Sequence, residues 1–141
     1  MLTPFPAKTG PQTAGWIAAA KLPFPAAIVL AHREYEVLFL PCLHLMAGKP
    51  IRDSRGIERP GIVAGTTWSG DPEAKRDIKG WLSEHFPKGW SYKPTEDQLP
   101  LTRMLDFSVL RASALPCFLT LERALCALVR GSAGEVYPPA G

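Results

Sequence analysis

Between Ala26 and Leu43 two apolar runs, Ala26-Ala-Ile-Val-Leu-Ala31 and Tyr35-Glu-Val-Leu-Phe-Leu-Pro-Cys-Leu43, are separated only by His32-Arg33-Glu34. Short apolar runs bounded by polar punctuation read as strands, so the region predicts two strands joined by a tight turn. In the second run Leu38, Leu40 and Cys42 face one way and Val37, Phe39 and Leu43 the other. Both faces are therefore apolar, and both must be covered. Pro41 cannot donate to a ladder, which predicts an edge or a bulge at that point.

Covering such a sheet takes helices, and two are legible. Asp71-Pro72-Glu73 combines an N-cap, a proline at the first helical position and an acid in the first turn. It predicts a helix over Asp71–Phe86, ended by Pro87 and Gly89, with Gly80 marking a close backbone approach inside it. Over Pro116–Arg130, residues Phe118, Leu121, Ala124, Leu125, Leu128 and Val129 share one arc while Leu119 and Cys126 lie opposite. That predicts a helix buried on two sides, stopped by Gly131. Ile62–Trp68 reads as a third strand on its β-branched and aromatic content. Arg103–Leu110 reads as a fourth, because Leu105, Phe107 and Val109 alternate with Asp106 and Ser108. Gly48–Gly61 and Pro87–Pro100 are loops by composition, residues 1–15 a Pro-rich extended arm leading to a short helix near Thr13–Lys21, and residues 132–141 a loose tail. The expected fold is a single α+β domain over residues 16–131: a small, mostly antiparallel sheet of three to four strands packed by two main helices.

At 141 residues, 46% hydrophobic and 21% charged, the chain can bury one core without staples. A disulfide scaffold, a two-domain enzyme and wholesale disorder are excluded on the same grounds. Cys42, Cys117 and Cys126 are odd in number, lie in apolar runs and form no CxxC pair, which fits reduced thiols in a cytoplasmic protein. The N-terminus has no basic stretch leading into an apolar core, and no apolar run approaches the ~20 residues of a bilayer span. No membrane partner is expected.

Catalytic chemistry finds little footing. His32-x-Glu34 followed by Pro41-Cys42 is similar to part of the zinc deaminase signature, which would make a small metal-dependent hydrolase an alternative. The second cysteine of that signature is missing, however, and the His lies in a turn, so His32, Glu34, Cys42 and His44 are not assigned to a metal. Glu34 and Glu36 read as a solvated pair and His85 as a buried structural histidine. No Gly-x-Ser-x-Gly elbow or Gly-Lys-Ser/Thr phosphate loop is present. The acidic cap Asp71 repels an anion at its helix start. No catalytic residue and no cofactor is assigned.

What remains is a set of cations and aromatics: Lys49, Arg52, Arg55 and Arg59 in one loop, Lys75, Arg76 and Lys79 on a helix flank, and Lys88, Trp90, Tyr92 and Lys93 in another loop. Tyr, Trp and Arg anchor protein interfaces. The same residues also suit stacked bases and phosphates, but a net charge of +3 is small for a nucleic-acid binder. The expected function is that of a small non-catalytic binding or regulatory protein. It would dock a protein partner or a copy of itself, as phage and mobile-element accessory or inhibitor proteins do, with nucleic-acid binding as the alternative.

Overall fold

The computed structural model describes residues 5–29 and 34–139. In chain order these form α1 (Phe5–Ala20), β1 (Ala26–Ala27), a 3₁₀ segment (Tyr35–Cys42), α2 (Leu43–Met46), β2 (Ile51–Arg52), β3 (Glu58–Arg59), a 3₁₀ turn (Pro72–Ala74), α3 (Ile78–Glu84), α4 (Pro94–Thr102), α5 (Phe107–Ala112), α6 (Pro116–Arg130) and β4 (Val136–Tyr137). The protein is helix-dominated. The α+β expectation fails, because the only pairings among the described residues are two two-stranded ladders of two residues each. The chain divides into two compact units, Arg33–Leu115 and a unit built from both chain ends, Met1–His32 with Pro116–Gly141.

In the Arg33–Leu115 unit the 3₁₀ segment Tyr35–Cys42 is the hub, touched by α2, α3, α4, α5 and the Pro72–Ala74 turn. Expected as a two-faced strand, it is instead a helix buried all round: Glu36, Val37, Leu38, Phe39, Leu40 and Cys42 are all buried. A short continuous apolar run fits either geometry. Here Tyr35, Val37 and Phe39 favour a strand, but Leu38 and Leu40 are good helix formers and Pro41 cannot donate to a ladder. Phe39 lies at the centre, edge-on to Tyr35 at 5.8 Å and to Tyr92 at 6.3 Å between ring centroids.

The remaining corrections in this unit trace to capping. The Asp71–Phe86 helix is split: Asp71 caps only the Pro72–Ala74 turn, accepting from the Glu73 N–H at 3.0 Å. Asp77 then adopts a left-handed φ of 51° and restarts the chain as α3. The Glu34 carboxylate reaches across to accept from the Ile78 N–H at 2.7 Å and the Lys79 N–H at 3.2 Å, occupying donors that a continuous helix would have used. Gly80 is needed because Asp77 folds onto its N–H at 3.1 Å, and a Cβ there would strike that carboxylate. Arg103–Leu110 is not a strand: Asp106 accepts from the Ser108 and Val109 N–H groups and starts α5. Pro87–Pro100 is not wholly a loop, since Pro94 takes the first position of α4. Ile62–Trp68 is a turn closed by the Thr66 N–H and hydroxyl, both donated to the Val63 carbonyl. Gly48–Gly61 contains the β2–β3 hairpin, with Ile51 opposite Arg59 and Arg52 opposite Glu58. Asp53 holds its tip by accepting from the N–H groups of Arg55 and Ile57.

In the unit built from both chain ends, only Ala26–Ala27 among the described residues of the first expected strand are paired, as β1 in parallel with β4, Ala26 opposite Val136 and Ala27 opposite Tyr137; Leu30 and Ala31 lie outside the described residues. The tail expected to be loose thus supplies a strand. Over its described residues, 5–15, the extended arm is replaced by α1, which continues past Pro11, buries Ala14 and leaves Trp16 exposed. His32 and Arg33 of the expected hairpin turn lie outside the described residues. Helix α6 spans the expected Pro116–Arg130, but it is not buried on two sides, because Leu125 is 49% and Val129 86% exposed.

Candidate functional site

The structure separates the basic and aromatic set into residues that build the core and residues that face outward. Tyr92 belongs to the core: it is 5% exposed, and its hydroxyl donates to Glu36 Oε1 at 2.8 Å. Burial, with the Glu36 hydrogen bond added, pushes the Tyr92 phenol far above its usual range, so it remains a neutral donor. Glu36, expected on a solvated surface, is fully buried. Gln98 also donates to its Oε1 at 3.0 Å, while Oε2 lies 3.2 Å from the Lys79 ammonium without an aligned hydrogen bond. Lys79 is therefore a structural cation shared with Glu34 at 3.3 Å.

Arg59 is likewise internal, 6% exposed, and donates from Nε and Nη2 to the two oxygens of Asp97 at 2.7 and 3.0 Å. Nη1 meets Glu96 at 3.0 Å, and Nη2 also donates to the Ser91 carbonyl at 3.3 Å. These carboxylates, Asp97 first, hold the guanidinium still further into its charged form. Asp97 and Glu96 were not singled out in the sequence. The signal that could have found them is Lys93-Pro94-x-Glu96-Asp97, a proline at the first helical position followed by first-turn acids.

On this frame sits the segment Pro87–Lys93, which is irregular yet held at four backbone points. The Trp90 N–H donates to the Pro87 carbonyl at 2.9 Å, the Ser91 carbonyl accepts from Arg59, the Tyr92 N–H donates to Ser83 Oγ at 3.1 Å, and the Lys93 N–H donates to Asp97 Oδ2 at 2.8 Å. Gly89, at φ +87°, makes the turn that a side chain would strain. With Tyr92 pulled inward, Trp90 points out: it is 45% exposed, and one ring face is covered by the Arg59 guanidinium, 5.2 Å from the centroid. Lys88 and Lys93 on the same loop are exposed.

The other expected binding residues lie elsewhere in the unit. Arg52 and Arg55 belong to the hairpin, Arg52 donating to the Gly56 carbonyl at 3.0 Å and Arg55 pairing with Asp53 at 3.0 Å, and Lys49 is exposed just before it. Half-buried Lys75 and exposed Arg76 fall in the break between the Pro72–Ala74 turn and α3. Cys42 and His44 do not share a face: Cys42 is buried, its thiol pushed up by burial, and His44 is exposed. Among the described residues no three His, Cys, Asp or Glu side chains are placed to hold a metal ion. An open cleft of about 350 Å³ beside Leu40, Trp68 and Pro72 has His44, Thr67 and Ser113 in its wall, and no carboxylate or thiol. No helix among the described residues is long and apolar enough to cross a membrane. Compared with known proteins, the chain matches no protein-family model, no curated protein and no solved structure.

Proposed function

We propose that this chain is a non-catalytic binding protein that docks a protein partner through Trp90 and the loop around it, acting in the cytoplasm as an accessory or inhibitory factor. The observation that carries the reading is the presentation of Trp90. A large aromatic ring left 45% exposed is held by a guanidinium that is itself fixed by buried Asp97. Interface hot spots are enriched in such aromatic anchors, and an anchor already held in place avoids the ordering cost of binding. The three free cysteines support the cytoplasmic part of the proposal.

The test compares the purified chain with Trp90→Ala, by light-scattering mass alone and after capture from lysate with the absorbance ratio recorded. Trp90→Ala is expected to weaken capture of the recovered partner about 30-fold, the scale of a hot spot. Its thermal midpoint should fall by only a few degrees, the scale of one lost cation–π contact. Undiminished capture, or a variant that no longer folds, refutes the reading.

A further inference from the structure

We infer that the occupant of the Trp90 loop is an acidic protein segment that lays an apolar side chain on the open face of the indole between two carboxylates; this rests on the docking reading above. Lys88 lies two residues before Trp90 and Lys93 three residues after it, so chain geometry holds their Cα atoms within about 7 and 11 Å of Trp90. Those bounds are comparable with the screening length of about 8 Å at physiological ionic strength, so a ligand spanning the loop lies within range of both lysines. The two carboxylates that follow the loop are already paired. Asp97 is fully buried against Arg59 and the Lys93 N–H, and Glu96, its side chain 29% exposed, is occupied by Arg59. Among the described residues neither Lys88 nor Lys93 has a carboxylate at ion-pair distance. The unpaired charges of the loop that carries the indole are therefore the two lysines.

Magnitude decides against nucleic acid. Two lysines displace counterions from about two phosphates, a salt exponent near 1.4 for a single strand, whereas proteins that hold nucleic acid at physiological salt commonly make six to ten such contacts. One indole stacks one base. A peptide needs less from this site: a central apolar contact with the water-exposed side of a fixed ring, and one carboxylate for each lysine.

Fluorescence anisotropy on the full chain tests this with three labelled probes: a pool of dodecapeptides of Asp and Glu around one Leu or Phe, the same pool with Asn and Gln in place of the acids, and a twelve-nucleotide oligothymidylate. The acidic pool is expected to bind best, to weaken about 30-fold on Trp90→Ala and about tenfold on combined Lys88→Glu and Lys93→Glu, with unchanged circular dichroism in each variant. Equal binding of the amide pool, with the Trp90 dependence kept, overturns the acidic assignment and leaves docking at Trp90 standing. Preference for the oligothymidylate overturns it in favour of nucleic acid. Acidic-pool binding that ignores Trp90→Ala, or no acidic-pool binding up to about 1 mM, overturns it outright.

Discussion

Replacing Tyr92 with Phe removes one oxygen atom and keeps the ring among Phe39 and Phe86, so its effect isolates the hydrogen bond to Glu36. That bond matters because Glu36 is fully buried and has few other donors: Gln98 reaches Oε1, and Oε2 has Lys79 at 3.2 Å without an aligned hydrogen bond. A hydrogen bond to a buried charged group is worth about 1.5–3 kcal/mol, and that is the expected loss for Tyr92→Phe. Tyr92→Ala adds the loss of a buried ring, for a total above about 4 kcal/mol. Urea unfolding followed by tryptophan fluorescence measures both, and at a slope of about 1–3 kcal/mol per molar the Phe variant should shift its midpoint by roughly 1 M. A double-mutant cycle with Glu36→Gln sharpens the test, since removal of the buried charge should make Tyr92→Phe cost less in the Gln background. A Tyr92→Phe midpoint unchanged within error, or additive effects in the cycle, refutes the account of a carboxylate held by its neighbours.

Two further outcomes follow from the capping of α3. Burial alone would push the Glu34 carboxyl up, but the Ile78 and Lys79 N–H groups and the Lys79 ammonium outweigh it and leave it below its usual range. Its stabilising contribution is therefore complete above the unfolded glutamate value near ~4.3 and is lost as pH falls through the lower folded value. Glu34→Gln should flatten the acid side of the stability curve below about pH 4.5, as measured by urea midpoints across pH; an unchanged slope refutes the cap. Gly80→Ala should destabilise, opposite in sign to the gain of about 0.5–1 kcal/mol usual for an interior helical Gly→Ala change, because the new Cβ meets the Asp77 carboxylate. A thermal midpoint that rises would contradict it.

Where the sequence could be read correctly, the signal was local. Helix α6 has a long apolar arc bounded by Pro116 and Gly131, whereas the crowding at Gly80 comes from the side chain of its own cap, Asp77, and not from a backbone approach. The failures came from competition between local signals. Asp71, Asp77 and Asp106 are all chemically able to cap, and which helix each begins depends on distant partners such as Glu34, 44 residues before Ile78. The 3₁₀ hub failed because an apolar run buried on every side carries no periodicity to distinguish strand from helix. Within the candidate site, Trp90 and its flanking lysines were legible from composition. The inward turn of Tyr92 and Arg59 was not, since their carboxylate partners Glu36 and Asp97 lie 56 and 38 residues away.

The pairing of Ala26 with Val136 has a consequence for the order in which the polypeptide acquires structure. A ribosome releases the first strand of that ladder roughly 110 residues before its mate, and closing a loop so long by random search carries a conformational entropy penalty that grows with the logarithm of its length. The intervening Arg33–Leu115 segment has its own hydrophobic interior and can condense during synthesis, shortening the span left to close. The ladder cannot form until Val136 has emerged, so a nascent chain stalled before it would carry the Arg33–Leu115 segment complete and β1 still without its mate.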